Sequence, residues 1–193
     1  EIRVAAAQGF DRNSFLDEFD RLLQKDVKAA VCTHVSNVFG WILPIEEIAD
    51  LCRERNIPLI VDASQSAGLL PISLEALRAS FIAMPGHKGL LGPQGTGLLL
   101  CGRLPEPLLY GGTGSDSILR EMPEYLPDRV EAGTLNVPGY AGLREGLRFL
   151  NQTGVETIFH REHRLLENCI QGLQKIGMKV FAGPHQAATV SFL

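Results

Sequence analysis

The sequence predicts an α/β fold with a mainly parallel central sheet flanked by helices. Short apolar runs alternate with amphipathic segments along most of the chain, the pattern of strands joined by helical crossovers. One run, Leu59 to Val61, is wholly apolar and ends abruptly in Asp62, as a buried parallel strand does. Composition agrees: of 193 residues, 45% are hydrophobic and 21% charged, enough apolar material for one ordinary core.

Taken in order, Arg3 to Ala7 is a weak strand candidate. Residues 14–24 read as a helix with Phe15, Phe19, Leu22 and Leu23 on one face, capped by Ser14 with Asp17 three residues on. Val27 to Thr33 is a strand with a polar end, His34 to Asn37. Pro44 suits a first helical turn, after which Ile45, Ile48, Ala49 and Cys52 share a face. Asn56 and Pro58 close that helix before the Leu59 strand. Residues 73–78 allow a short helix. Ser80 to Ala83 is a strand leading into the turn MPGHKG, and Gly97 to Cys101 returns to strand character. Proline and glycine then thicken over residues 102–140, where long loops are expected.

A helix fits Gly139 to Leu150, aligning Leu143, Leu147 and Leu150. Thr153 to Glu156 has capping-box spacing and is expected to open a long helix through Val155, Phe159, Leu166, Cys169 and Leu173. Met178 to Phe181 and the terminal ATVSFL read as strands. These elements divide into a large α/β domain over residues 1–150 and, over 151–193, a linking helix and the start of a small domain. The chain opens on Glu1 and closes inside a strand-like run, so it is expected to be part of something longer, with the N-terminal portion of the large domain absent.

Charge narrows the function classes. Lys and Arg total 18 against 22 Asp and Glu, a net charge of −4, which disfavours a dedicated nucleic-acid surface. No apolar run approaches the roughly 18 residues of a membrane span. The first residues lack the pattern of a secretory signal. The four cysteines, Cys32, Cys52, Cys101 and Cys169, form no CxxC pair. A reducing, cytoplasmic setting with all four thiols packed in strands or on apolar helix faces is the simplest reading. Trp41 and Tyr110 fit packing or an interface.

The chemistry belongs at the strand ends. Ligands of an open α/β sheet bind beyond the carboxyl ends of its strands. There the sequence delivers His34-Val35-Ser36-Asn37, Asp62-Ala63-Ser64-Gln65 and Pro85-Gly86-His87-Lys88. A carboxylate at the end of an apolar strand calls for a cationic partner such as a protonated ligand nitrogen. A lysine among glycines can approach a ligand closely and form an imine with an aldehyde. Pyridoxal 5'-phosphate asks for that set: a carboxylate on its ring nitrogen, an amine on its aldehyde and donors on its phosphate. His34, Asp62 and His87 lack the short spacing of a metal site, and no metal is expected. Gly89 to Gly97 is not followed by the Gly-Lys-Ser or Gly-Lys-Thr of a nucleotide loop.

The segments THVSNVFGWILPI (33–45), PLIVDASQSAG (58–68), MPGHKGLLGPQGTG (84–97) and EAGTLNVPG (131–139) resemble those of the class V aminotransferase and cysteine desulfurase group, pyridoxal-phosphate enzymes of fold type I. In many members the asparagine precedes the aspartate by 25 residues, the glutamine follows it by 3 and the lysine by 26; Asn37, Asp62, Gln65 and Lys88 reproduce those steps. The resemblance implies that Lys88 binds the cofactor aldehyde and acts as general base, and that Asp62 holds the ring-nitrogen proton. It implies that Asn37 and Gln65 lie near the phenolic oxygen and His87 on the phosphate side. It also implies that Thr134 reaches the phosphate of a neighbouring subunit in a homodimer with shared sites. His34 lies near the ring face or the sheet edge. Pro85 departs from the pattern: many members carry a serine or threonine there, so one phosphate contact is lost or replaced.

The resemblance spans the whole chain but about half of a usual member. The phosphate loop, the ring-stacking residue, the substrate-carboxylate arginine and the persulfide cysteine fall in the other half. It implies an amino-acid substrate and cysteine desulfurase-like chemistry, giving alanine and an enzyme persulfide, with a sulfur-acceptor protein as a further partner. An aminotransferase or a β-lyase acting on cysteine derivatives stands beside it. A noncatalytic scaffold of the same fold is the non-enzyme alternative.

Overall fold

In a computed structural model, which describes residues 1–6, 9–115 and 118–193, the chain builds a four-stranded sheet in the order β1-β2-β3-β4. The strands are β1 (Ala30–Thr33), β2 (Leu59–Asp62), β3 (Phe81–Pro85) and β4 (Gly97–Cys101). The first three run parallel and β4 returns antiparallel to β3, so the mainly parallel sheet is a mixed one. The helices α1 (Arg12–Leu22), α2 (Ile45–Glu54) and α3 (Leu74–Leu77) belong to this layer. After a loop region broken by a 3-10 turn (Asp128–Val130) come α4 (Val137–Thr153), α5 (Val155–Lys175) and a two-stranded sheet of β5 (Val180–Phe181) and β6 (Ser191–Phe192).

The register assigns the two faces. Cys32, Val61, Ile82 and Leu100 stand side by side across the sheet, and on this face Ala30, Leu59 and Val61 are buried with Cys32 and Ile82. They share one core with Phe15 and Phe19 of α1, with Ile45, Ile48, Ala49 and Cys52 of α2, and with Leu77 of α3. The apolar face of α2 anticipated from the sequence is the one buried. Pro44 sits at its N-cap, and Glu46 and Glu47 in its first turn complement the helix dipole. Ion pairs Arg12–Glu47 and Arg55–Asp20 tie α1 to α2.

The alternate rows, Val31–Ile60–Phe81–Cys101 and Thr33–Asp62–Ala83–Leu99, face the other way. There Val31 is 69% and Leu99 47% exposed, and Ile60, Phe81 and Ala83 are half-buried. The sheet has one closed face and one open face.

Several local expectations are corrected. Residues 1–6 form no strand, and Ala7 lies outside the described residues. Helix α1 starts two residues earlier than Ser14, because the Asp11 carboxylate accepts from the amides of both Asn13 and Ser14 and is the cap. Thr153 caps nothing: it is the last residue of α4, and Gly154, at φ 85°, turns the chain into α5 without a side-chain cap. Cys169 is exposed on α5 rather than packed.

Candidate active site

Asp62 ends β2 on the open face, between Thr33 and Ala83. The ladder continues past it, with the His34 amide donating to Asp62 O (2.9 Å) and the Ala63 amide to Ala83 O (2.9 Å), so its backbone is fixed on both sides. One carboxylate oxygen accepts from the Ser64 amide at 2.9 Å, and the half-buried carboxylate has no cationic partner among the described residues.

The turn after β2 touches the turn after β3. Gly68, at φ 80°, lies so close to Gly89 that a Cβ would stand 2.1 Å from Gly89 O; a Cβ on Gly89 would stand 2.1 Å from Ala67 O. No side chain larger than hydrogen fits at either position. This contact sets the turn carrying Lys88 and His87 against the one carrying Gln65. The Lys88 turn is closed at its base: the Gly86 amide donates to Thr96 O and the Gly92 amide to Gly86 O, both at 2.7 Å. Lys88 and His87 project from it, exposed.

Asn37 lies in the turn after β1. Ser36 Oγ accepts from the Val38 and Phe39 amides at 3.3 and 3.1 Å, which folds the turn and leaves Asn37 exposed. Thr134 sits in a loop held by a hydrogen bond from the Gly133 amide to Gly111 O. Two residues on, Asn136 caps α4 by accepting from the Gly139 amide. Gly139 packs on Thr96, the residue whose carbonyl holds Gly86. The Thr134 loop therefore reaches the Lys88 turn through Thr96. No described contact joins Thr134's side chain to the other candidates.

The fold thus gathers Asn37, Asp62, Gln65, His87 and Lys88 at the carboxyl ends of the three parallel strands. The side chains of Asn37, Gln65, His87, Lys88 and Thr134 make no hydrogen bond to another described residue. Polar groups that converge without pairing one another are poised for a ligand. Of these residues Gln65 lines a cleft of about 190 Å³, together with Gly68, Gly89, Ile158, Glu162 and Thr189. Burial pushes the Glu162 carboxyl above its ordinary value. Nothing in the sequence pattern pointed to Glu162 or to the 187–189 segment, which meet this cleft only through the tertiary fold.

His34 is buried, its Nδ1 without a partner among the described residues, and continues the buried alternation of Ala30 and Cys32. That sets it out of the row of Asp62, just past the end of the edge strand β1. Burial lowers its pKa to about 4, so it is neutral at neutral pH. Burial raises the Cys32 and Cys52 thiols to about 12 and about 11, which makes both poor nucleophiles.

The donor set fits pyridoxal 5'-phosphate. Among the described residues, a carboxylate with an oxygen to spare, an amine without an ion partner and two unpaired amides answer its ring nitrogen, aldehyde and phenolic oxygen. The open apolar face beside Asp62 suits a flat ring.

The chain matches the family model described as aminotransferase class-V over residues 1–193. It is 40% identical over 189 residues to a probable cysteine desulfurase of Xylella fastidiosa (strain 9a5c), covering 92% of this chain and 44% of that protein. It is 34% identical over 179 residues to a probable cysteine desulfurase of Pyrococcus abyssi, covering 87% of this chain and 44% of that protein. Among solved structures, an apo cysteine desulfurase from Thermococcus onnurineus NA1 superposes with a TM-score of 0.82 at 32% identity, over 92% of this chain and 46% of that one. The chain spans about half the length of the relatives it matches. With lysine, aspartate and amides at the ends of a sheet shared with these proteins, the chain belongs to the class-V aminotransferase family and has the large-domain fold of the type I pyridoxal-phosphate enzymes.

Proposed function

We propose that the protein is a pyridoxal-phosphate-dependent cysteine desulfurase, removing sulfur from L-cysteine to give alanine and a protein persulfide. The observation that supports this most is Asp62 and Lys88, neither with an ion partner among the described residues, at adjacent strand ends in a chain 40% identical to a probable cysteine desulfurase. The bound cofactor supplies an electron sink that weakens the bonds at the substrate α-carbon. Asp62 holds a proton at the ring nitrogen. Lys88 would hold the cofactor at its aldehyde and, as general base, would take the substrate α-proton on its own amine. Asn37 and Gln65 donate to the phenolic oxygen, and His87 lies on the phosphate side.

The working unit is a cytoplasmic homodimer in which Thr134 reaches the partner's phosphate. Exposed apolar residues of the long loop, Leu108 (92%) and Leu109 and Tyr110 beside it, support such an interface. Residues 1–150 form the large domain and 151–193 the linking helix and start of the small one, a division supported by the break at Gly154 and the separate β5–β6 sheet. A sulfur-acceptor protein completes the reading. An aminotransferase of the same family is the second reading, supported by the match to the family model described as aminotransferase class-V.

Incubation of the intact protein with pyridoxal phosphate, L-cysteine and a thiol reductant tests the proposal. Equal yields of alanine and sulfide without a keto acid are expected. Amino transfer that depends on a keto acid would establish the second reading. Lys88→Ala should abolish both alanine formation and the borohydride-fixed cofactor adduct; an adduct that survives would remove Lys88 from its role.

A further inference from the structure

The turn that presents Asn37 is held from the far end of the chain. Gln186 is buried, at 5% exposure, and its side-chain amide is fully engaged. Its Nε2 donates to Phe39 O at 2.9 Å and to Thr189 O at 2.8 Å, and its Oε1 accepts from the Gly183 amide at 3.2 Å. The neighbouring carbonyls of the turn are bound by the same segment: the Ala187 amide donates to Gly40 O at 2.7 Å and Ser191 Oγ to Val38 O at 2.7 Å. The Ile42 amide returns a bond to His185 O at 2.8 Å, with His185 in the left-handed region at φ 58°. Gly40, at φ 68°, leaves no room for a Cβ, which would stand 2.2 Å from Thr189 O.

Thus Val38, Phe39 and Gly40 all present their carbonyls to residues 186–191, while Asn37, one residue earlier, projects exposed with no described partner. We propose that Gln186 is a positioning residue for Asn37, clamping the Ser36–Gly40 turn so that the asparagine amide is aimed at the cofactor's phenolic oxygen. This rests on the role given to Asn37 above. Among the described residues Gln186 makes no hydrogen bond to another candidate side chain, so its effect on the cofactor runs through the turn. Of the contacts in the clasp, the Gln186 amide is the one made by a buried side chain whose removal leaves the backbone bonds in place.

The test uses the intact protein loaded with pyridoxal phosphate and reads the pH midpoint at which the bound cofactor's visible absorbance changes. Asn37→Ala removes a donor that favours the ionised oxygen, so the midpoint rises, by on the order of one pH unit. Gln186→Leu removes the amide; Gln186→Glu keeps its shape but cannot donate to Phe39 when ionised. Both should raise the midpoint by about half as much, and neither should add to the shift in an Asn37→Ala background. In the intact apoprotein, hydrogen exchange at the Phe39 and Gly40 amides should quicken on the order of tenfold in both variants. A midpoint that stays at the wild-type value in a Gln186 variant while Asn37→Ala shifts it overturns the proposal. So does a shift of equal size with and without Asn37. If Asn37→Ala leaves the midpoint unmoved, the role of Asn37 fails, and the positioning role with it; if Lys88→Ala also leaves the absorbance unchanged, the functional reading fails as a whole. Should the leucine variant not fold, the glutamate variant carries the same comparison.

Discussion

The two faces of the sheet use the same strands for different ends. On the closed face, Cys32, Val61 and Ile82 are at most 5% exposed and meet α1, α2 and α3 in one core. On the open face, one residue along each strand, the neighbours are Thr33, Asp62 and Ala83. The pleat alone separates them, because side chains alternate with a period of two. Among the described residues the packed core lies on one face, and Asp62, which has no cationic partner among them, lies on the other. A carboxylate displaced by one residue would enter the closed core, where an unpaired charge is strongly destabilising.

Mutations can break or sharpen that contrast. The largest effect is expected at Ile48, which is 0% exposed beneath the closed face. Ile48→Ala should lower the unfolding free energy by about 2–5 kcal/mol in equilibrium denaturation, leaving cofactor affinity unchanged where the protein remains folded. A cost below about 1 kcal/mol would mean that the closed face is not the main source of stability.

His34 comes next. Its folded pKa, about 4, lies below the ordinary histidine value of 6.5, so between these values the unfolded chain binds a proton that the folded chain refuses. Stability is full above pH 6.5 and falls as the pH drops toward 4, by at most on the order of 3 kcal/mol. His34→Gln should flatten denaturation midpoints across that window; an unchanged slope would show that His34 titrates freely in the fold.

Asp62→Asn is expected to invert the pattern of Ile48→Ala. Unfolding free energy should change by less than about 1 kcal/mol, since no ion pair is lost. Affinity for pyridoxal phosphate, followed by absorbance, should fall at least about tenfold, because the charge-assisted bond to the ring nitrogen is gone. A large stability loss with unchanged affinity would give Asp62 a structural role.

The smallest effect belongs to Cys169, exposed on α5. Cys169→Ser should stay within about 0.5 kcal/mol of the parent. Maleimide should label Cys169 before the buried Cys32 and Cys52, and the reverse order would restore the packed position expected from its helical spacing.

Much of this was legible in the residues. The spacing of Ile45, Ile48, Ala49 and Cys52 identified the buried side of α2, and the run Leu59 to Val61 identified a strand delivering Asp62. Caps were harder, because neighbouring side chains compete for the same amides. Asp11 satisfies both Asn13 and Ser14, so Ser14 lies inside the helix it was expected to cap. Thr153 has the spacing of a capping box, but α4 runs on to include it. The return of β4 is legible in the length of its connection: 86–96 is shorter than the dozen or so residues a parallel crossover needs. Glu162 and Gln186 carried no local signal, since their partners lie far along the chain; Gln186 and Phe39 are 147 residues apart.

By itself the sequence determined which residues are the candidates for the chemistry. The strand-end motifs and the steps from Asn37 through Asp62 and Gln65 to Lys88 are local, and local spacing survives any arrangement of the remaining chain. Only the tertiary structure decided which face receives Asp62, how close the Gly68 and Gly89 backbones lie, and what holds the Asn37 turn. Each of those depends on strand register or on contacts between distant segments, whose free energies come from packing that no single stretch of sequence contains.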